Sequence, residues 1–98
     1  MRFEWDPEKE KENRKKHRIT FTEACYVFAD KSMLTLFDDE HSIDEDRWVT
    51  MGRTPEGKLL TVIHAYKRVA RIEHIRIISA RKATKSEEKQ YFERRIDK

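Results

Sequence analysis

His64, Tyr66 and Arg68 fall at every second position of one apolar run, His74 and Arg76 do the same in the next, and Arg81 lies just beyond. These residue types suit metal-independent RNA cleavage. A base must take the 2′-hydroxyl proton, a cation must stabilise the crowded phosphorane, and an acid must protonate the leaving 5′-oxygen. Histidine moves protons near neutral pH, arginine forks onto phosphate oxygens, and tyrosine stacks on an unpaired base. Lys16 and His17 close a polar helix, where positive charge also suits the dipole, so a helix-end role and a proton-transfer role both stand.

Such a set works only if one surface gathers it. Alternation puts His64, Tyr66 and Arg68 on one side of a strand. The connection through Val69-Ala70 lacks the Gly or Asn that a two-residue primed turn prefers. A longer loop is therefore expected, with a register that aligns His64 and Tyr66 with His74 and Arg76. The competing reading is that His64 and Tyr66 pack at the sheet's edge while the arginines form weak surface ion pairs.

The elements that would position these residues follow from local signals. Residues 3–5 alternate apolar and acidic, and Asp6-Pro7 places a cap before the proline favoured at a helix's first position. The helix to His17 is polar on all sides. Thr20-x-x-Glu23 is a capping box, and Phe21, Ala24, Cys25 and Phe28 form an apolar stripe, which makes Cys25 a small buried hydrophobe. Residues 33–37, 48–53, 58–68 and 72–81 read as strands, with Gly57 turning the second into the third. Thr84-x-x-Glu87 opens a last helix whose large apolar contacts are Tyr91, Phe92 and Ile96. The expected architecture is a single α+β domain over residues 1–98 in the order β-α-α-β-β-β-β-α, an antiparallel sheet with helices packed on one face.

Charge sharpens the direction. The net charge of +3 hides an acidic stretch, residues 30–46 at −6, and a basic third, residues 64–98 at +6. A basic face on a nearly neutral protein suits a polyanion. Asp38, Asp39, Glu40, Asp44, Glu45 and Asp46 lack the order of a calcium loop and read as a solvated loop. One cysteine gives no zinc spacing and no internal disulfide. No glycine-rich phosphate loop or G-x-S-x-G elbow occurs, so no metal or cofactor is expected. No apolar run approaches the roughly 18 residues of a membrane helix, and the first residues lack a signal-peptide core, so a cytoplasmic protein without a membrane role is expected. So thin a core also points to a stabilising partner.

These pieces resemble the BrnT family of ribonuclease toxins from BrnT/BrnA type II toxin-antitoxin modules. The matching segments are Phe3-Glu4-Trp5-Asp6, Asn13, Lys16-His17, Phe21-Thr22-Glu23-Ala24 with Phe28, Arg47 with Gly52, Arg68, Ile75-Arg76-Ile77-Ile78-Ser79-Ala80-Arg81, Glu87 and Tyr91. The resemblance implies a RelE-like fold and an endoribonuclease that inhibits translation. It also implies a BrnA-like antitoxin with a ribbon-helix-helix domain, so that operator DNA is bound only through the complex. Carried over by position, the matching polar residues are Lys16, His17, Arg47, Arg68, Arg76, Arg81, Glu87 and Tyr91; with His64 and Tyr66 added from the strand alternation, the expected catalytic set is Arg68, Arg76, Arg81, His17 and His64, and the expected RNA-binding set is Lys16, Arg47, Tyr66 and Tyr91. Arg18 stands where the family usually has glycine, and a left-handed helix end there would cost about 1 kcal/mol. The rival class is a non-catalytic RNA-binding or co-repressor module acting with its antitoxin, which would bind without phosphodiester turnover.

Overall fold

The computed structural model describes residues 1–96, with side chains through Arg94; the expected contact of Ile96 lies outside the described side chains. The elements are β1 (Arg2–Glu4), α1 (Pro7–His17), α2 (Phe21–Cys25) running into a 3-10 turn (Tyr26–Ala29), β2 (Leu34–Phe37), β3 (Arg47–Arg53), β4 (Leu59–Val69), β5 (Ile72–Lys82) and α3 (Lys85–Ile96). Among the described residues no helix is long and apolar enough to cross a membrane.

Local chemistry explains the helix ends. Asp6 is extended and accepts the Glu8 N–H at 2.9 Å, with Pro7 opening α1. Arg18 ends α1 at φ 58°, its N–H returning to the Arg14 carbonyl at 2.8 Å, so the left-handed end is built without glycine. Around α2 the Thr20–Glu23 capping box is closed in both directions. Cys25 is half-buried, and burial pushes its thiol up to about 11, as suits a packing residue rather than a nucleophile.

The five strands form one sheet in the order β1-β5-β4-β3-β2. It is mixed rather than antiparallel, because β1 runs parallel to β5 while the other pairs are antiparallel. Three residues with no hairpin partner carry no signal of direction. One face holds the core of Ile19, Phe21, Ala24, Val27, Leu60, Val62, Ile75, Ile77 and Ala80 under α1, α2 and the 3-10 turn. Gly52 lets that turn approach, since a Cβ there would sit 2.6 Å from Val27 Cγ1 and 2.9 Å from the Val27 carbonyl oxygen.

Helices are not confined to that face. Met51 and Thr61 alternate with the core-facing Gly52 and Val62, yet both are buried, and the Thr61 hydroxyl donates to Glu87 of α3 at 2.9 Å. Thus α3 covers part of the opposite face. The remainder of that face, toward the β4–β5 turn, carries no helix.

The β4–β5 connection departs from expectation. It is a two-residue turn, with Ala70 at φ 50° and Arg71 at φ 70°, and it pairs Val69 with Ile72. Two residues without glycine therefore adopt left-handed conformations. The resulting register pairs Tyr66 with Ile75 and Ala65 with Arg76.

Candidate functional site

That register separates the expected cluster. Directly paired residues share a face, so His64 lies with Ile77 and Tyr66 with Ile75, while His74 and Arg76 point to the other side. The single face of His64, Tyr66, Arg68, His74 and Arg76 is not formed.

His64 is fully buried, with Nε2 at 2.7 Å from Thr50 Oγ1 and its ring edge-on to Phe28 and Tyr66. Burial pushes its pKa down to about 4, so at neutral pH it is an uncharged core residue out of reach of solvent. Tyr91 is likewise buried, its hydroxyl donating to Asp30 at 2.5 Å, which corrects its assignment as a base-stacking residue. Arg81 forms a two-pronged pair with Glu87, at 2.7 and 3.0 Å. Burial alone would raise the Glu87 carboxyl, but Arg81, the Thr84 N–H and the Thr61 hydroxyl outweigh it and hold it at about 2. Arg81 therefore ties the end of β5 to the start of α3. Arg68 is exposed near the end of β4, opposite Glu73, and Tyr66 is half-exposed on the same face.

The open face gathers a different set. Arg76, Ala65 and Arg47 are consecutive cross-strand partners on β5, β4 and β3. Each step across a sheet is roughly 5 Å, so the two arginine Cα atoms stand about 10 Å apart over the small side chain of Ala65. One pair further along, Lys67 faces His74, and β1 adds Arg2 beside His74 and Glu4 beside Arg76. Lys67 and Arg76 are exposed, while His74 and Arg47 are partly so. Glu45 from the acidic loop ion-pairs with Arg76, and Arg47 shares a shallow hollow with Asp44 and Glu45.

Arg76 also opens onto the sheet edge. β1 covers β5 only at His74–Arg76, and beyond it the Asn13 amide stands in for a strand. Its Oδ1 accepts the Ala80 N–H at 3.1 Å, and its Nδ2 donates to the Ala80 and Ile19 carbonyls at 2.8 and 3.1 Å. A bulge leaves Ile78 unpaired between Ile77 and Ser79. Two adjoining hollows that share Lys9 and Ile78 lie along this edge groove, one reaching Arg76 and Asp6, the other Glu12, Lys16, His17 and Ser79. Of the residues expected from the sequence, this face and its edge bring Arg76, Arg47, Lys16 and His17 near one another. Sequence reasoning missed Lys67, whose role depends on register, and Lys9, whose signal was the 9, 13, 16 spacing on α1.

Chemically, this face offers guanidinium groups at a span suited to phosphates, with a histidine and a lysine alongside. Among the described residues, no group of three or more His, Cys, Asp or Glu side chains is placed to hold a metal ion. Fold and face together define a small α+β protein with cationic side chains gathered on one sheet face. The chain belongs to the family described as "Ribonuclease toxin, BrnT, of type II toxin-antitoxin system", whose model matches residues 5–87. It is similar in fold to the crystal structure of the Brucella abortus ribonuclease toxin BrnT, with a TM-score of 0.63 and 24% identity over 87% of this chain and 99% of that one. No curated protein sequence matches it significantly.

Proposed function

We propose that this chain is a cytoplasmic toxin that cleaves RNA without a metal ion, so inhibiting translation, and is neutralised by a BrnA-like antitoxin. A ribbon-helix-helix domain of that antitoxin would carry the complex to operator DNA. The observation that carries this reading is the Arg76–Ala65–Arg47 row with His74 and Lys67 beside it on the uncovered face. Arg76 and Arg47 hold the scissile phosphate and the charge that develops on it. His74 and Lys67 move the protons: one takes the 2′-hydroxyl proton, the 2′-oxygen attacks phosphorus, the bond to the 5′-oxygen breaks, and the other protonates the leaving oxygen. The products are a 2′,3′-cyclic phosphate and a 5′-hydroxyl. Lys9, Lys16 and His17 extend positive charge along the edge groove for flanking phosphates.

The test is cleavage of end-labelled RNA by purified protein in EDTA, with cyclic-phosphate ends as the signature. Arg76→Ala and His74→Ala should each lower kcat about 100-fold or more. Loss of all cutting in EDTA overturns the metal-free mechanism, and undiminished cutting by Arg76→Ala removes that residue's role. The Glu45–Arg76 ion pair favours a second reading, in which the arginine is permanently neutralised and the protein only binds. Salt-dependent RNA binding with no turnover at any protein concentration would establish it.

A further inference from the structure

Six rings run in an unbroken series over the core-facing side of the sheet. Phe3 meets Phe28 at 5.4 Å between ring centroids, Phe28 meets His64 at 4.9 Å, and His64 meets Tyr66 at 5.0 Å. Tyr66 then meets Trp48 at 6.0 Å, and Trp48 meets Phe37 at 5.0 Å. The first half lies under the helices. The second half emerges where they stop, leaving Tyr66 40% and Phe37 43% exposed with Trp48 partly exposed between them. Three large rings on adjacent strands do not serve solvation in a chain whose other surface residues are mostly charged.

We propose that Phe37, Trp48 and Tyr66 form a stacking platform for unpaired RNA bases flanking the cleavage point. The inference rests on the ribonuclease reading and names a part of its substrate site. Three observations select this occupant. The rings are held edge-to-face, at 71° and 75°, so their positions are fixed before anything binds. Tyr66 and Phe37 are 40% and 43% exposed, so each leaves ring surface for an unpaired base, whereas a duplex keeps its base faces inside its own stack. The neighbouring charge is also of the right sign: the hairpin from residue 66 to residue 76 holds Lys67, Arg68, Arg71 and Arg76 against Glu73 alone. Arg68 follows Tyr66 on the same face, and Arg71 sits in the turn, so phosphates have a cationic path around a hairpin two strands wide to Arg76 on the opposite face.

Trp48 reports on its own platform. A short single-stranded RNA with 2′-O-methyl riboses, which cannot be cleaved, should quench tryptophan emission in the unaltered protein. Trp5, packed edge-on to Phe21 on the covered side, gives a constant background. Tyr66→Ala and Phe37→Ala should each weaken binding of this probe at least about fivefold, and the same sequence annealed into a duplex should quench far less. Tight probe binding with unchanged emission and unchanged affinity in both variants overturns the platform while leaving RNA cleavage intact. Variants that keep probe affinity but lose the antitoxin, or lose self-association, overturn it in favour of a protein interface. Failure of the unaltered protein both to bind the probe and to cut RNA overturns the ribonuclease reading and the platform with it.

Discussion

Lowering the pH from 7 to 5 should cost the folded chain about 2 kcal/mol through His64 alone. The ring is enclosed by Phe28 and Tyr66, and its Nε2 lies 2.7 Å from Thr50 Oγ1, which in turn lies 2.9 Å from Thr35 Oγ1. Nδ1 is buried with no hydrogen-bond partner among the described residues. The neutral tautomer with the proton on Nε2 satisfies this arrangement, because it donates to Thr50 and leaves only a lone pair unmatched. Protonation would add a second donor with nothing to receive it and place a charge in the core. The folded pKa of about 4 therefore lies below the ordinary histidine value of 6.5, and the unfolded chain binds the proton first. The stabilisation is fully present above pH 6.5 and is lost as pH falls toward 4, reaching about 3 kcal/mol when complete.

Urea unfolding of the unaltered protein and of His64→Leu at pH 7 and pH 5 isolates this contribution. For a small domain with m between roughly 1 and 3 kcal/mol/M, 2 kcal/mol moves the unaltered protein's midpoint by about 1 M. The variant should lack this part of the pH dependence and show the smaller residual slope of all other groups. Every group other than His64 is common to both proteins, so its contribution cancels in the difference. Equal midpoint shifts in the two proteins would refute the placement of His64 as a neutral core residue.

Asn13→Ala should destabilise the fold by about 3 kcal/mol, because it strands the Ala80 N–H and the Ala80 and Ile19 carbonyls in a buried site. A change under 1 kcal/mol in chemical denaturation would show that the amide is dispensable. Glu45→Gln should tighten RNA binding two- to fivefold by about 1 kcal/mol or less, since the ion pair it removes is exposed and competes with phosphate for Arg76. An unchanged Kd would mean that RNA does not displace Glu45. Arg18→Gly should add about 1 kcal/mol and raise Tm by about 4–8 °C, since glycine takes φ 58° without a Cβ penalty. An unaltered or lower Tm would contradict strain at that helix end.

The readable parts of this chain were those with local signals. Alternation placed β2 to β5, and the capping boxes at Thr20 and Thr84 placed the starts of α2 and α3, because both signals lie within a few residues. α1 was readable at its ends but not in its docking. It is anchored by one amide, Asn13, whose partners lie 6 and 67 positions away, and a single buried polar residue leaves no periodicity. For the site, residue chemistry was legible and assembly was not. Arg47 entered only through the family resemblance, and its relation to Arg76 exists only through the intervening Ala65.

Burial, not turn chemistry, decides which face of β5 is open. Two non-glycine residues in left-handed conformations cost about 2–4 kcal/mol together. A loop that moved the register by one residue would relieve that strain, but it would turn Ile75 and Ile77 toward solvent and Arg76 and His74 into the core. Burying each isoleucine is worth roughly 1.5–3 kcal/mol, and an unpaired buried arginine costs more than either. Burial therefore exceeds the turn strain, and Ala70 and Arg71 accept the left-handed turn. The same choice sends His74 outward beside Arg76, while β4's own alternation sends His64 inward with Leu60 and Val62, where its pKa falls. In β4 and β5 the face a histidine takes is decided by the parity of the apolar residues beside it, not by its distance from an arginine in the sequence.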